Sequence, residues 1–409
     1  MYFNVFIYEM FNAQPKDITL MVQLSAVSAT VTTLLVGALS DKIGKRKIFI
    51  CGGYVLWGLT ILSFCLIRTD VIGVLFPMAA SASAIGVTLV IIMDCVMTFF
   101  GSSANDACFN AWMTDVTTDN DRGKVEGVNS MMPLVAILVV FGGFMFVPEG
   151  DSKWTIIFAV IGGIVVLIGA LGFFLIEDSH IQTEGNGSYF KNIFYGFRPS
   201  VVKENKSLYL YLICFAVFNI SIQIFMPYLI LYYTESLDLA DTYVFIMAPA
   251  VILAAVFTVF YGRLYDKLKF TKSVFPTLGL LVLGYLLLAI NEKTPVVFIG
   301  SLLMMCGYLA GMAVFGSVIR THIPDNKAGM FQGLRIVSQV LIPGLIGPEI
   351  AKWILRDAEK ITNTDGTESF IPNQSIFVAA MCVIVVLAAV LLIAVLIAKK
   401  REKRGQINE

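Results

Sequence analysis

Two acids stand where acids are expensive. Asp94 and Asp106 both fall in the apolar run Ala84–Trp112, and a charged side chain at mid-membrane costs roughly 2.5–3.5 kcal/mol on insertion scales, so such residues face a cavity or a partner. At helical spacing Asp94, Thr98, Gly101 and Asn105 form one stripe, and Ser102, Asp106 and Asn110 form the adjacent one. That polar face offers carboxylates that accept from hydroxyls and amides that both donate and accept. Because desolvation opposes ionisation, each acid is also a candidate proton carrier. The plainer alternative for either is a hydrogen bond that packs one helix on another.

Further along, Asn219 and Gln223 lie one turn apart in an apolar run broken by Pro227. They can bind solute hydroxyls or cement neighbouring helices. Gln332, Arg335 and Gln339 share a face near the end of another run, where Arg335 is expected to latch a gate or snorkel rather than touch solute. Glu349, beside Gly347 and Pro348, reads as near a surface, and Trp154 and Trp353 as interface anchors. Both histidines, His180 and His322, fall in loops, so no intramembrane histidine relay is expected. The seven cysteines sit inside apolar runs, as small fillers rather than a disulfide or zinc framework. No metal site and no cofactor is expected, beyond a coupling proton or Na+.

The elements that carry these residues follow from composition. Apolar residues make up 57% of the chain and charged residues 14%, against about 45–50% and about 25% in a soluble domain. Only hydrocarbon accommodates that excess, and the recurring runs of about twenty residues match the length a helix needs to cross it. Eleven complete spans are expected: Ile18–Ser40, Ile48–Ile67, Ala84–Trp112, Val125–Val147, Trp154–Ile176, Leu208–Tyr233, Tyr243–Leu264, Ser273–Ile290, Val296–Ile319, Met330–Ile354 and Ile376–Ala398.

Basic residues gather in alternate loops. Lys42, Lys45, Arg46 and Lys47, then Arg263, Lys267, Lys269 and Lys272, and the tail from Lys399 to Arg404 belong to the rich set; Lys16, Arg68, Lys153 and Lys293 belong to the poor one. The positive-inside rule places the rich set, with the C-terminus, in the cytoplasm. Zero net charge gives no reason to expect a nucleic-acid partner.

The chain repeats itself. Gly37-Ala-Leu-Ser-Asp41-Lys42 recurs as Gly262-Arg-Leu-Tyr-Asp266-Lys267, an offset of 225, and Asp119–Gly127 recurs as Asp325–Gly333, an offset of 206. Residues 1–176 and 208–398 are therefore two transmembrane halves, 177–207 a cytoplasmic linker and 399–409 a cytoplasmic tail. Phe190, Ile193, Phe194 and Phe197 predict a short amphipathic helix in the linker. The same offset lays Met1–Phe11 over Met226–Ser236, the outer end of the second half's first helix. A first helix largely missing is the expectation.

Gly37–Lys47 (GALSDKIGKRK) resembles the signature G-x-L-[SA]-D-[RK]-x-G-[RK]-[RK] of the major facilitator superfamily. The resemblance implies an all-α fold of two six-helix halves and a gating role for Gly37, Asp41, Lys42, Gly44 and Arg46, and for Asp266 in the degraded copy. Gly37 would permit close helix approach, and Asp41 would serve as a breakable latch. A plain charged turn is the alternative. Within that superfamily, Asp106-Ala-Cys-Phe109 running to Thr114-Asp115 looks like the fourth helix of the glycoside-pentoside-hexuronide cation symporters, which carry D-x-P-F there. Cys108 replaces the proline, and Thr33 and Ala29 stand where that family's second helix holds cation-binding acids.

The function expected is alternating-access movement of a small polar solute, a sugar or glycoside, with proton or cation symport, by a monomer in the plasma (inner) membrane. Export of an amphiphilic or lipid-like solute is the second reading and a membrane receptor the third. No nucleophile–base constellation or phosphate loop supports an enzyme.

Overall fold

The computed structural model describes residues 2–76, 82–116, 152–178, 195–239, 242–323, 333–362 and 368–407, with isolated positions between 132 and 150. Among them, ten helical stretches are long and apolar enough to cross a bilayer: Pro15–Gly37, Arg46–Leu66, Ala82–Met113, Lys153–Leu175, Lys206–Ser236, Tyr243–Tyr265, Lys267–Ile290, Thr294–His322, Gly333–Asp357 and Ser375–Leu396. They overlie ten of the eleven expected spans. The eleventh, Val125–Val147, lies largely outside the described residues, as do His180 and the linker residues Phe190 to Phe194.

The longer helices among the described residues are α1 (Tyr2–Phe11), α2 (Pro15–Ile43), α3 (Arg46–Ser63), α4 (Ala82–Gly101), α5 (Lys153–Leu175), α6 (Lys206–Phe225), α7 (Tyr243–Ile290, two spans joined at a kink), α8 (Thr294–His322), α9 (Ile342–Ile354) and α10 (Ser375–Ile407). A two-stranded hairpin, β1 (Lys360–Thr362) and β2 (Glu368–Phe370), separates the last two. The chain forms two compact units: Met1–Glu204 with Lys327–Leu345 and Glu359–Ile371, and Asn205–Asn326 with Ile346–Ala358 and Pro372–Glu409.

Lipid-facing surfaces are legible on single helices. On α2 the side chains Leu20, Leu24, Val27, Val31, Leu35 and Leu39 recur at helical spacing and all are exposed, a stripe that would drive aggregation in water and is at home in hydrocarbon. With lipid outside, apolarity alone does not hold helices together, so small residues that allow close packing do. On α3, a Cβ placed on Gly53 would lie 2.8 Å from the Cβ of Ala104, so only glycine fits that crossing. Gly37, expected to serve the same purpose, does not: its added Cβ would meet Ala107 at an ordinary 3.8 Å.

Two expected loops are tighter than their charge suggests. α2 continues through Asp41 and Lys42 to Ile43, where Lys42 in the last turn complements the helix dipole. The turn is Gly44, at φ 70°, whose N–H closes on the Ser40 carbonyl at 2.9 Å. In the second unit the basic stretch Arg263–Lys272 is helical except at Lys269, φ 61°. Gly44 and Lys269 are 225 positions apart, the offset of the sequence repeat. A second pair of left-handed residues, Asn12 and Asp238, both at φ 51°, is 226 apart, so α1 ends as the segment Tyr232–Ser236 ends, with the backbone breaking at matching places.

Trp154 is not an interface anchor. It is 5% exposed, packed edge-on against Phe6, and its Nε1–H donates to Glu9 at 2.8 Å, because α1 covers it. Trp353, 74% exposed, keeps the character expected of an anchor. His322 lies in the last turn of α8, not in a loop, with its ring edge-on to Tyr211.

Candidate functional site

Past Gly101 the fourth-helix backbone changes register. Ser102–Phe109 is a π-helical segment, followed by the helical turn Asn110–Val116. π segments widen the turn and leave carbonyls to be satisfied by other means, and they gather at functional sites. Here Asn110 does this: its Nδ2 donates to the Asn105 carbonyl at 3.2 Å and lies 3.4 Å from that of Asp106. Asn110 therefore serves the backbone that presents the site.

Around that segment a polar chain forms within the first unit. Tyr54 of α3 donates its hydroxyl to Asn105 Oδ1 at 3.1 Å, and Asn105 Nδ2 donates to Asp106 Oδ1 at 3.1 Å. Ser102 donates to the same carboxylate. Fixing the Asn105 carbonyl toward Tyr54 directs its amide toward the acid. Asp106 is exposed, and an exposed carboxylate inside a membrane span must meet water rather than lipid. Trp57 packs beside Tyr54 with ring centroids 5.5 Å apart. The arrangement can accept and donate hydrogen bonds to a polyhydroxylated molecule.

Asp94 is placed differently. It is 5% exposed, in the seam between α2 and α4, hydrogen-bonded to Ser25, whose hydroxyl also lies 2.9 Å from Thr98 Oγ1. One turn along, Ser28 donates to the Cys95 carbonyl at 3.0 Å. The structure thus separates the two acids: Asp106 reaches solvent, and Asp94 joins two helices.

In the second unit Asn219 is buried and donates to the Phe215 carbonyl of its own helix at 2.8 Å. Gln223 is half-buried, in a close crossing with Gly347. Arg335 is half-buried, just before the π-helical segment Val337–Leu341. Glu349 pairs with Lys352.

Of the gating residues, Gly44 supplies the left-handed turn, and Arg46 is buried, its Nη1 donating to Ser40 Oγ at 2.8 Å. The side chains of Asp41 and Asp266 lie outside the described residues. The sequence pattern did not reveal Asp178: its Oδ1 accepts the Arg46 and Lys47 backbone N–H groups at 2.9 and 3.1 Å, an N-cap supplied from beyond α5. Next to it, the Glu177 carbonyl accepts from Trp112 Nε1 at 3.0 Å. The signal for Asp178 was faint: one of several acids in a linker that holds as many bases.

The Major Facilitator Superfamily profile matches residues 1–348. No curated protein matches the chain. Among solved structures, a mutant form of the nucleoside transporter NupG superposes with a TM-score of 0.68 at 12% identity, over 95% of this chain and 93% of that one. A bacterial homolog of the human lysosomal transporter Spinster, inward-facing and occupied, gives 0.55 at 13% identity, over 93% and 96%. At such identities the likeness is one of fold. The family match spans most of the chain, and the conclusion is direct: this protein belongs to the Major Facilitator Superfamily, and it is a multi-pass secondary transporter of a small-molecule solute, not an enzyme.

Proposed function

We propose that the solute is small, neutral and polyhydroxylated, such as a sugar, a glycoside or a nucleoside recognised through its ribose, and that it moves with a proton carried by Asp106. The observation that carries this reading is the Tyr54–Asn105–Asp106–Ser102 chain with its carboxylate exposed inside a membrane span. A carboxylate accepts two hydroxyls of a vicinal diol, the neighbouring amide donates, and an aromatic pair stands beside them. The D-x-C-F run at Asp106–Phe109 is similar to the melibiose-permease branch, and NupG is a nucleoside transporter; the two solute classes share ring hydroxyls. Proton rather than sodium is favoured because Ala29 and Thr33 replace the cation-binding acids of that branch, and the Thr33 hydroxyl is turned back onto the Ala29 carbonyl at 2.8 Å. The setting is an inner plasma membrane with the C-terminus cytoplasmic, and the working unit a monomer.

The test is uptake by proteoliposomes of labelled melibiose and labelled uridine, each with an inward proton gradient, an inward sodium gradient or none. Accumulation of either under the proton gradient supports the proposal. Sodium dependence would overturn the coupling, and failure of both solutes, with transport of an amphiphile instead, would overturn the substrate class.

A further inference from the structure

Tyr54, Asn105 and Asp106 satisfy one another, but the second aromatic side chain beside them keeps an unused donor. Trp57 is half-buried on α3, and among the described residues nothing accepts its Nε1–H. An indole N–H that leaves water ordinarily finds an acceptor, and hydrocarbon offers none. The nitrogen is not sealed off, because among the described residues Ser273 Oγ is the one enclosed side-chain oxygen or nitrogen without a partner. An open, unpaired N–H inside a span requires water or a bound molecule to meet it.

Three nearby residues of α3 meet the fourth helix where it turns π-helical. Gly53 lies against Ala104, Tyr54 bonds to Asn105, and Trp57 lies against Gly101. The last contact is close: a Cβ on Gly101 would come within 2.9 Å of Trp57 Cε2 and 3.2 Å of its Nε1. Gly101 shares a stripe with Asn105 and immediately precedes Ser102, the second donor to Asp106. The glycine therefore leaves the indole its room, and the nitrogen edge of the indole stands beside the backbone that carries the acid. Trp57 is one turn, about 4.5 Å, along α3 from Tyr54, with the ring planes inclined at 56°. The exposed apolar side chains of α3 are its neighbours Leu56 and Leu59.

We infer that Trp57 is a further solute-binding residue: its indole N–H donates to an oxygen of the solute held at Asp106, its ring covers the solute's apolar face, and Gly101 keeps the space the indole needs. The donor complements the rest of the site. An ionised Asp106 only accepts and so selects solute hydroxyls, whereas the indole only donates and so selects an oxygen that has no proton to give. A ring that carries hydroxyls and a ring or glycosidic oxygen satisfies both. The inference deepens the reading of Asp106 as the solute site and rests on it.

Two measurements on the full chain in proteoliposomes test it. The first needs no solute: Trp57→Cys and Leu56→Cys each meet a water-soluble maleimide present inside and outside, and labelling of the unsubstituted chain is subtracted. Position 57 should react at least tenfold faster than position 56. Equal rates would place position 57 in lipid and overturn the inference whatever the solute is. The second is the concentration dependence of uptake of melibiose or uridine, whichever the wild type takes up. Trp57→Phe keeps a ring and loses the N–H, so the half-saturation concentration should rise about fivefold, the loss of one neutral hydrogen bond, with the thermal midpoint kept. An unchanged half-saturation concentration, or a loss confined to the midpoint and the maximal rate, would reduce Trp57 to a packing residue. Gly101→Ala should give a similar rise in the wild-type background and less than a twofold change when Trp57→Ala is already present; the full rise in both would separate the glycine from the indole and refute their pairing. If the wild type takes up neither compound, the solute class proposed above falls and the two labelling rates decide this inference.

Discussion

Replacing Asp106 by asparagine removes one charge and almost no volume. Asn105 Nδ2, now 3.1 Å from Asp106 Oδ1, and Ser102 can both still donate to the one remaining oxygen, so the π-helical segment and its cap by Asn110 should persist and the variant should fold. What disappears is the second acceptor and the charge. Hydrogen bonds to charged groups contribute about 1.5–3 kcal/mol against about 0.5–1.5 for neutral pairs, so each solute hydroxyl loses about 1–2 kcal/mol, roughly five- to thirtyfold in apparent affinity. Coupling should suffer more than binding, because an amide cannot exchange a proton at any depth in the bilayer. The assay is paired: accumulation against a gradient, and exchange of internal for external solute at equal concentration. Accumulation should vanish while exchange survives with a raised half-saturation concentration. Unchanged accumulation would remove Asp106 from the mechanism, and loss of exchange together with correct folding would make it a binding residue with no special part in coupling.

Tyr54→Phe deletes the hydroxyl that fixes the Asn105 carbonyl while keeping the ring against Trp57; it should raise the half-saturation concentration about fivefold, for about 1 kcal/mol, with maximal rate and thermal midpoint near wild type. Gly53→Leu should destabilise by about 1–3 kcal/mol through overpacking against Ala104, whereas Gly37→Ala should be tolerated, a contrast read from thermal unfolding in detergent. Asp178→Ala leaves the first two N–H groups of α3 without their cap and should cost about 1 kcal/mol, seen as a lowered midpoint that Asp178→Asn partly restores. Asp94→Asn can still pair with Ser25 and should keep its thermal midpoint, while Asp94→Leu, which leaves Ser25 only its contact with Thr98, should lower it.

Much of this protein could be read along one dimension. The bilayer demands about twenty apolar residues per crossing and satisfies no backbone group itself, so spans announce themselves, and ten recur in the described structure. The repeat of 225 was visible in Asp41 and Asp266 and returns in the backbone as Gly44 and Lys269. The superfamily was legible for the same reason: Gly37–Lys47 concentrates its chemistry in one short stretch. Asp106 stood out because a carboxylate in an apolar run must be explained. What separated it from Asp94 was not in the pattern, since both obey the same periodicity. Only packing decided that Asp94 faces Ser25 and that Asp106 reaches solvent. Tyr54 and Asp178 escaped because they act on residues 51 and 132 positions away, and nothing local marks a hydroxyl or a carboxylate for a distant partner. The π-helical segment at Ser102–Phe109 escaped too, because helical periodicity assumes a constant turn and the extra residue that aims Asp106 breaks it. Trp154 looked like an anchor until α1 covered it. A sequence states which groups are costly to bury or to leave unpaired, and tertiary structure alone determines which groups meet them.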